Sequence, residues 1–364
     1  MKLNELTAYL ESLAPLSSQE SYDNSGLIVG DPNMEVKGAL VSLDCIESVV
    51  DEAIEKKCNL VIAHHPILFK GIKRLNGSDY VQRTIQKAIK NDIALYAIHT
   101  NLDNYRFGVN AEIGQRIGLE NISVLAPKSD VLAKLVVFVP DDYVESVKDA
   151  IFDAGAGSIG NYAECSFATS GTGTFLPKEG SNPFVGTEGE RENALETKIE
   201  VLVSKHSLNK VIRAMKEAHP YEEVAYEAYP ILNDNQFEGA GMIGNLPEAM
   251  STRDFLTHIK QTFGCGVIRH TELLTDEIER VAYCGGAGSF LLRNAIAQEA
   301  DIFITGDYKY HEFFDAENHL IIADIGHYES EQFTSNLLHG ILTKKFPKFA
   351  VHLTEVNTNP INYF

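Results

Sequence analysis

The sequence is short of positive charge. Against 51 Asp and Glu it has 31 Lys and Arg, a formal charge of −20 at pH 7. Such a field repels nucleic-acid backbones and argues against general DNA or RNA binding. A polyanionic small molecule would need local help, such as a metal ion. Cysteine is also scarce: five residues, an odd number without any C-x-x-C pair, fit a reducing cytosol better than a disulfide framework. No apolar run approaches the roughly 20 residues of a membrane span. The start, Met1-Lys2-Leu3-Asn4-Glu5-Leu6, lacks the basic-then-apolar pattern of a secretory signal. A cytoplasmic protein without a membrane segment is therefore expected. No Gly-x-Ser-x-Gly marks a serine nucleophile, and no Gly-Lys-Ser/Thr marks a phosphate loop.

What is present is 364 residues at 44% hydrophobic content, enough for two domains with ample core. Leu60-Val61-Ile62-Ala63 is a short β-branched run that stops abruptly at His64-His65-Pro66. It reads as a buried parallel strand, since Pro66 lacks an N–H and holds His65 extended. In an open α/β sheet, ligands sit beyond the carboxyl ends of the strands, where these imidazoles emerge. Around it, Leu3 to Leu13, Ile46 to Lys57 and Tyr80 to Lys90 have helical period. The runs from Ala39 to Asp44 and from Ile93 to Ile98 read as further strands. Their ends carry Asp44, and His99 with Asp103. Alternation of this kind predicts βαβ units and a parallel-rich sheet.

Past Ala126-Pro127 the pattern changes. Ala133 to Val139, Thr197 to Val203 and Val224 to Tyr229 read as strands. Asp142 to Ala154 and Ser207 to Ala218 read as helices, and Gly171 to Arg191 as a solvated loop. The arrangement predicts a split, ferredoxin-like α+β unit, with His219-Pro220-Tyr221-Glu222-Glu223 closing its second helix. After Pro230 the α/β pattern returns. Strands from Arg280 to Cys284, Asp301 to Thr305, His319 to Ile325 and Phe349 to Leu353 are expected, with a helix from Tyr328 to about Lys345. Gly285-Gly286-Ala287-Gly288-Ser289 reads as a tight strand-to-helix turn rather than an anion cradle, because the dinucleotide fingerprint is absent there. The expected domains are residues 1–129 and 233–364, two halves of one discontinuous α/β core, with residues 130–232 inserted between them.

His327 and Glu331 lie four residues apart at a helix start, so both face one side. With His64, His65 and Asp103 they offer three imidazoles and two carboxylates. That set suits Zn²⁺, Mn²⁺ or Fe²⁺ and is too rich in nitrogen for Ca²⁺ or Mg²⁺. Five ligands exceed the need of one tetrahedral zinc, which points to two divalent ions per subunit and a bridging carboxylate. Asp307 and His311 repeat the spacing nearby, and His99 and His311 are candidate proton relays.

Ser21-Tyr22-Asp23-Asn24-Ser25-Gly26-Leu27, Ala63-His64-His65-Pro66, His99-Thr100-Asn101-Leu102-Asp103-Asn104, Gly306-Asp307 and Asp324-Ile325-Gly326-His327-Tyr328-Glu329-Ser330-Glu331 together resemble one family. It is that of the GTP cyclohydrolase 1 type 2 homologues, or Nif-three-like proteins. The resemblance implies a dinuclear site of His64, His65, Asp103, His327 and Glu331, with Glu331 touching both ions. It also implies a toroidal homohexamer whose sites face an internal cavity, and a CutA- or PII-like insertion matching residues 130–232. The functions it raises are hydrolytic opening of the GTP guanine ring, hydrolysis of another nucleotide or phosphoester, or a non-catalytic metal-binding and regulatory assembly. In each case the partner is a small molecule.

Overall fold

Leu60 to Ala63 form a strand with all four residues buried. Leu60 and Ile62 belong to one apolar cluster, Val61 and Ala63 to another. The strand therefore has a core on each face, as parallel strands covered by helices do. In the computed structural model, which describes residues 1–364, the strands are β1 (Gly26–Val29), β2 (Ala39–Ser42), β3 (Leu60–Ala63), β4 (Ala94–Ala97), β5 (Glu120–Lys128), β6 (Leu132–Pro140), β7 (Ser166–Phe175), β8 (Glu192–Ser204), β9 (Tyr226–Pro230), β10 (Asn235–Ser251), β11 (Arg269–His270), β12 (Glu277–Ala287), β13 (Ile302–Gly306), β14 (Ile321–Asp324) and β15 (Val351–Leu353). They form three sheets, ordered β1-β4-β3-β2-β15, β11-β14-β13-β12-β10-β5 and β7-β8-β6-β9. Two compact units result: Met1–Pro127 with Phe237–Phe364, holding the first two sheets, and Lys128–Gln236, holding the third. No helix is long and apolar enough to cross a membrane.

In the larger unit β15, β2, β3 and β4 run parallel, with β1 antiparallel at the edge. In the second sheet β12, β13 and β14 run parallel between antiparallel β10 and β11. One core serves both sheets: Val41, Leu60, Ile62 and Tyr96 share a cluster with Val281, Ile302, Ile304 and Ile321, and with Leu3, Leu6 and Leu10 of the N-terminal helix. The next residues along β13 and β14, Phe303 and Ile322, face a separate cluster on the other side. The fold is thus mixed α/β, and its parallel strands deliver their carboxyl ends to the residues singled out above.

The structure adds elements that patterning does not show. β10 contains Gly239, Gly241 and Gly244, whose spacing imitates a dinucleotide fingerprint although all three lie inside the strand. A Cβ on Gly239 would sit 2.2 Å from the Ala126 carbonyl oxygen, so this glycine marks close approach to the neighbouring strand rather than a phosphate turn. The helix expected from Tyr328 to Lys345 is two helices, His327–Glu331 and Thr334–Lys345. No proline or glycine marks the join.

In the smaller unit β6 pairs with β8 and β9, and β7 with β8, all antiparallel. Helices Val144–Asp153 and Lys205–Ala218 cover a core that includes Leu135, Val137, Ile199, Val201 and Met215. The expected loop from Gly171 is instead the end of β7 as far as Phe175. This edge strand is mostly exposed and built of Ser, Thr and Gly, so no apolar alternation betrays it. The helix does stop at Ala218, with His219 extended before Pro220. The Ile231 amide donates to the Leu132 carbonyl at 3.3 Å, so the chain enters and leaves this unit side by side.

Candidate metal centre

The ladder of β3 continues one step past its end. The His64 amide donates to the Ser42 carbonyl (3.2 Å) and the His65 amide to the Leu43 carbonyl (2.9 Å), which fixes both side chains. His64 is fully buried, and its Nδ1 donates to the Ile98 carbonyl at 2.8 Å. That leaves Nε2 aimed at Asp103, on the short helix Thr100–Asp103 after β4. His64 Nε2 lies 3.5 Å from Asp103 Oδ1 and 3.9 Å from Glu331 Oε1. Neither His64 Nε2 nor Asp103 Oδ1 has a hydrogen-bond partner, and both are buried. Burying such atoms unsatisfied costs about 1–3 kcal/mol each, so the pair calls for a cation.

The other oxygen of Glu331 meets a second group. His65 Nε2 is 2.9 Å from Oε2, His327 Nε2 is 3.0 Å from it, and the two nitrogens are 3.3 Å apart. Ligands about 2.1 Å from a shared ion stand at such separations. The residues could therefore hold a metal ion, in two groups that share Glu331, one of His64, Asp103 and Glu331 and one of His65, His327 and Glu331, and in a third of His64, His65 and His99. Each imidazole is oriented by its far nitrogen, as metal-ligating histidines are. His65 Nδ1 donates to Asp44 at 2.7 Å and His327 Nδ1 to Asp307 at 2.7 Å. Asp44 is itself held by the Thr358 hydroxyl at 2.6 Å. His99 stands beside His64 and His65, with its Nδ1 on Asp23 at 2.8 Å. His311 does not join them. It is exposed on the turn Tyr310–Ala316, packed edge-on against Tyr310.

Without an ion, the carboxylates charge the imidazoles. Burial alone would lower His65, but Asp44 and Glu331 outweigh it and raise its pKa to about 9. His327 is raised to about 11 by Glu331 and Asp307 against the same burial. Burial, reinforced by the Glu331 charge, raises Asp103, whereas Glu331 is held well below its usual value by His327, His64 and His65. Both folded-state values for the imidazoles exceed the ordinary 6.5, so the stability they bring is complete below pH 6.5 and is lost as pH rises through about 9 and then about 11. Chelator-treated protein should therefore melt at progressively lower temperature from pH 7 to pH 10. A melting temperature that is flat or rises over that range would contradict these assignments.

The glycine turn has a role that sequence patterning missed. Gly286 has φ +60°, and a Cβ there would lie 2.4 Å from Glu331 Oε1 and 3.2 Å from His327 Cε1. Glycine lets β12 pass directly behind the Glu331 carboxylate. The roles of Asp23, Asp44 and Thr358 were equally hidden, because they act only through an imidazole or carboxylate distant in sequence. Beside the ligands lies a cavity of about 530 Å³, with Tyr22, Phe69, Tyr80 and Phe290 among its walls.

Comparisons place this chain among known proteins. The profile of the Duf34/NIF3 (NGG1p interacting factor 3) family matches residues 1–360. A protein of Halalkalibacterium halodurans called "GTP cyclohydrolase 1 type 2 homolog" is 40% identical over 358 residues, 97% of this chain and 96% of that one. A Bacillus subtilis protein of the same name is 37% identical over 365 residues, covering 99% and 98%. The crystal structure of a Bacillus cereus protein related to NIF3 superposes with a TM-score of 0.88 at 38% identity, over 100% of this chain and 99% of that one. The buried cluster of histidines and carboxylates thus lies within a profile match that spans nearly the whole sequence, and the chain belongs to the Duf34/NIF3 family.

Proposed function

We propose that the chain is a metal-dependent hydrolase with two divalent transition-metal ions per subunit, held by His64, His65, Asp103, His327 and Glu331. The observation that carries this reading is the pair of buried, unpartnered atoms, His64 Nε2 and Asp103 Oδ1. They face a carboxylate whose second oxygen already has two imidazoles. Zn²⁺, Mn²⁺ or Fe²⁺ fit a set of this composition. When bound, such ions lower the pKa of water towards 7 and polarise the group under attack. The chain's own residues do the rest. Asp44 and Asp307 keep His65 and His327 turned towards Glu331. His99, steadied by Asp23, keeps Nε2 for taking or returning a proton in the cavity, a role that the exposed His311 is not placed to share.

The relatives' name directs attention to GTP, whose guanine imidazole ring would be opened by water with release of formate. Metal-replete protein should release formate from GTP, lose this on chelation, and regain it with Mn²⁺ or Zn²⁺. If no formate appears with any of several metals restored, GTP ring opening fails. The metal site would survive that result, and another nucleotide or a phosphoester would become the substrate to seek.

A second reading is a non-catalytic metal-binding or regulatory assembly. It is favoured by the separate core of Lys128–Gln236. Its strand order β7-β8-β6-β9 with two helices supports reading this unit as a ferredoxin-like, CutA- or PII-like domain. Residues 130–232 would then be an inserted sensing domain. The family resemblance supports a homohexameric assembly, and five free cysteines support a reducing, cytoplasmic setting. Because the chain enters and leaves this unit side by side, replacing residues 130–232 with a short Gly/Ser linker should leave folded protein with its metal content intact. Aggregation, or loss of metal, in the shortened chain would count against the insertion. Metal-dependent turnover of a nucleotide separates the two readings.

A further inference from the structure

The cavity has a charge pattern that the metal ligands do not account for. Five carboxylates line it, those of Glu20, Asp44, Asp103, Asp307 and Glu331, and not one of the chain's 31 Lys and Arg does. Two divalent ions would bring four positive charges against those five, so even the loaded cavity gives a polyphosphate little welcome. Its aromatic walls suit a planar ring instead.

In the chain between two of the lining residues the sign reverses. The cavity residues Phe69 and Tyr80 bracket the segment Lys70-Gly71-Ile72-Lys73-Arg74. All five of these residues are exposed, and no ion pair or hydrogen bond engages the three cations. Unpaired cations so close together stand out in a chain of net charge −20. The segment is tied down on both sides. Asn24 Nδ2 donates to the Leu68 carbonyl (2.6 Å), and the Phe69 ring lies 5.6 Å from the His99 ring. Beyond the cations, Gln86 Nε2 donates to the Leu75 carbonyl (2.9 Å), and Gln82 Oε1 accepts from the Asn76 and Gly77 amides (2.9 and 3.1 Å). Lys70 begins about 3.8 Å along the chain from Phe69, so the basic stretch starts one residue beyond a wall of the cavity.

We infer that this site reads ring and tail separately: the cavity takes a planar heterocycle, while Lys70, Lys73 and Arg74 hold its phosphate groups outside. The substrate class is then a nucleoside phosphate, in preference to a free base or nucleoside. The inference rests on the proposed hydrolase site for where the ring goes, but it concerns binding and is tested by binding.

The test uses full-length, metal-replete protein with GTP and guanosine as probes, measured by titration calorimetry. GTP should bind at least about tenfold more tightly than guanosine, since charge-assisted contacts to phosphate are among the stronger hydrogen bonds. That advantage should shrink when salt rises from about 50 to about 300 mM. The triple variant Lys70→Glu, Lys73→Glu, Arg74→Glu should lose the GTP advantage at unchanged metal content, with guanosine as its internal reference. Equal affinity for the two probes, or no binding of either, would overturn the inference. So would a triple variant that keeps the preference, because the phosphates would then be held by the metal ions alone. A preference for GTP that the variant abolishes, with no product ever formed, would leave this inference standing and remove the hydrolase.

Discussion

Replacing Glu331 by alanine is expected to cost the protein both of its metal ions and not just one. Its two carboxylate oxygens face different groups, Oε1 towards His64 and Oε2 towards His65 and His327. Wild-type protein purified without chelator should carry close to two transition-metal ions per chain by elemental analysis, and the Glu331→Ala variant well under one. Asp103→Ala, which touches only the His64 group, should lose a single ion. Circular dichroism would verify that each variant is folded. A His65→Ala, Glu331→Ala double variant with its full metal complement would refute the ligand assignment.

The second large effect is expected at a residue with no ligand atom at all. Gly286→Ala puts a methyl group 2.4 Å from Glu331 Oε1 on a backbone at φ +60°. The backbone has little room to retreat, because the Gly285 amide donates to Asn110 Oδ1 (3.0 Å) and the Gly286 amide to Ser330 Oγ (3.0 Å). Left-handed strain of about 1 kcal/mol adds to displacement of a buried carboxylate, for a loss of about 2–4 kcal/mol in stability. Metal content should fall with it. Gly118→Ala separates the two contributions. Gly118 caps its helix at φ +86° with nothing within 4 Å of an added Cβ, so only the strain of about 1 kcal/mol should appear, with metal retained. If Gly286→Ala behaves like Gly118→Ala, the close approach to Glu331 has no consequence.

Much of the site was legible because it lies where strands stop. The β-branched run ending at His64-His65-Pro66, and the four-residue step from His327 to Glu331, each follow from a local period. Nothing local marks what makes those residues usable. Asp44 meets His65 only because β2 and β3 run parallel, and Thr358 reaches Asp44 from the far end of the chain. Gly286 reads as a generic turn in the sequence, because the Glu331 side chain that crowds it comes from a helix 45 residues further on, about a dozen turns of chain away in pattern terms. In the fold, the helices Leu3–Leu13 and Tyr80–Lys90 appear with the bounds their periods predict. β7 did not announce itself, since Ser, Thr and Gly carry no apolar alternation, and neither did β10, whose apolar residues are interrupted by three glycines. Edge strands and close-packed strands obey contacts rather than patterns.

The core shared by the two sheets has a consequence for how the chain is made. β3 and β4 bury Leu60, Ile62 and Tyr96 against a cluster completed by Val281, Ile302 and Ile321, and those residues leave the ribosome only after all of Lys128–Gln236. Domains generally fold as units while synthesis proceeds from the N-terminus. Here the first segment to emerge cannot finish its core, whereas the middle one, with its own core and antiparallel pairings, can. The expected order of completion is therefore inverted: the middle of the chain closes first, and the earliest residues wait with an apolar face uncovered. His64 and His65 wait with them, so the proposed site is incomplete until the translated chain has passed Glu331.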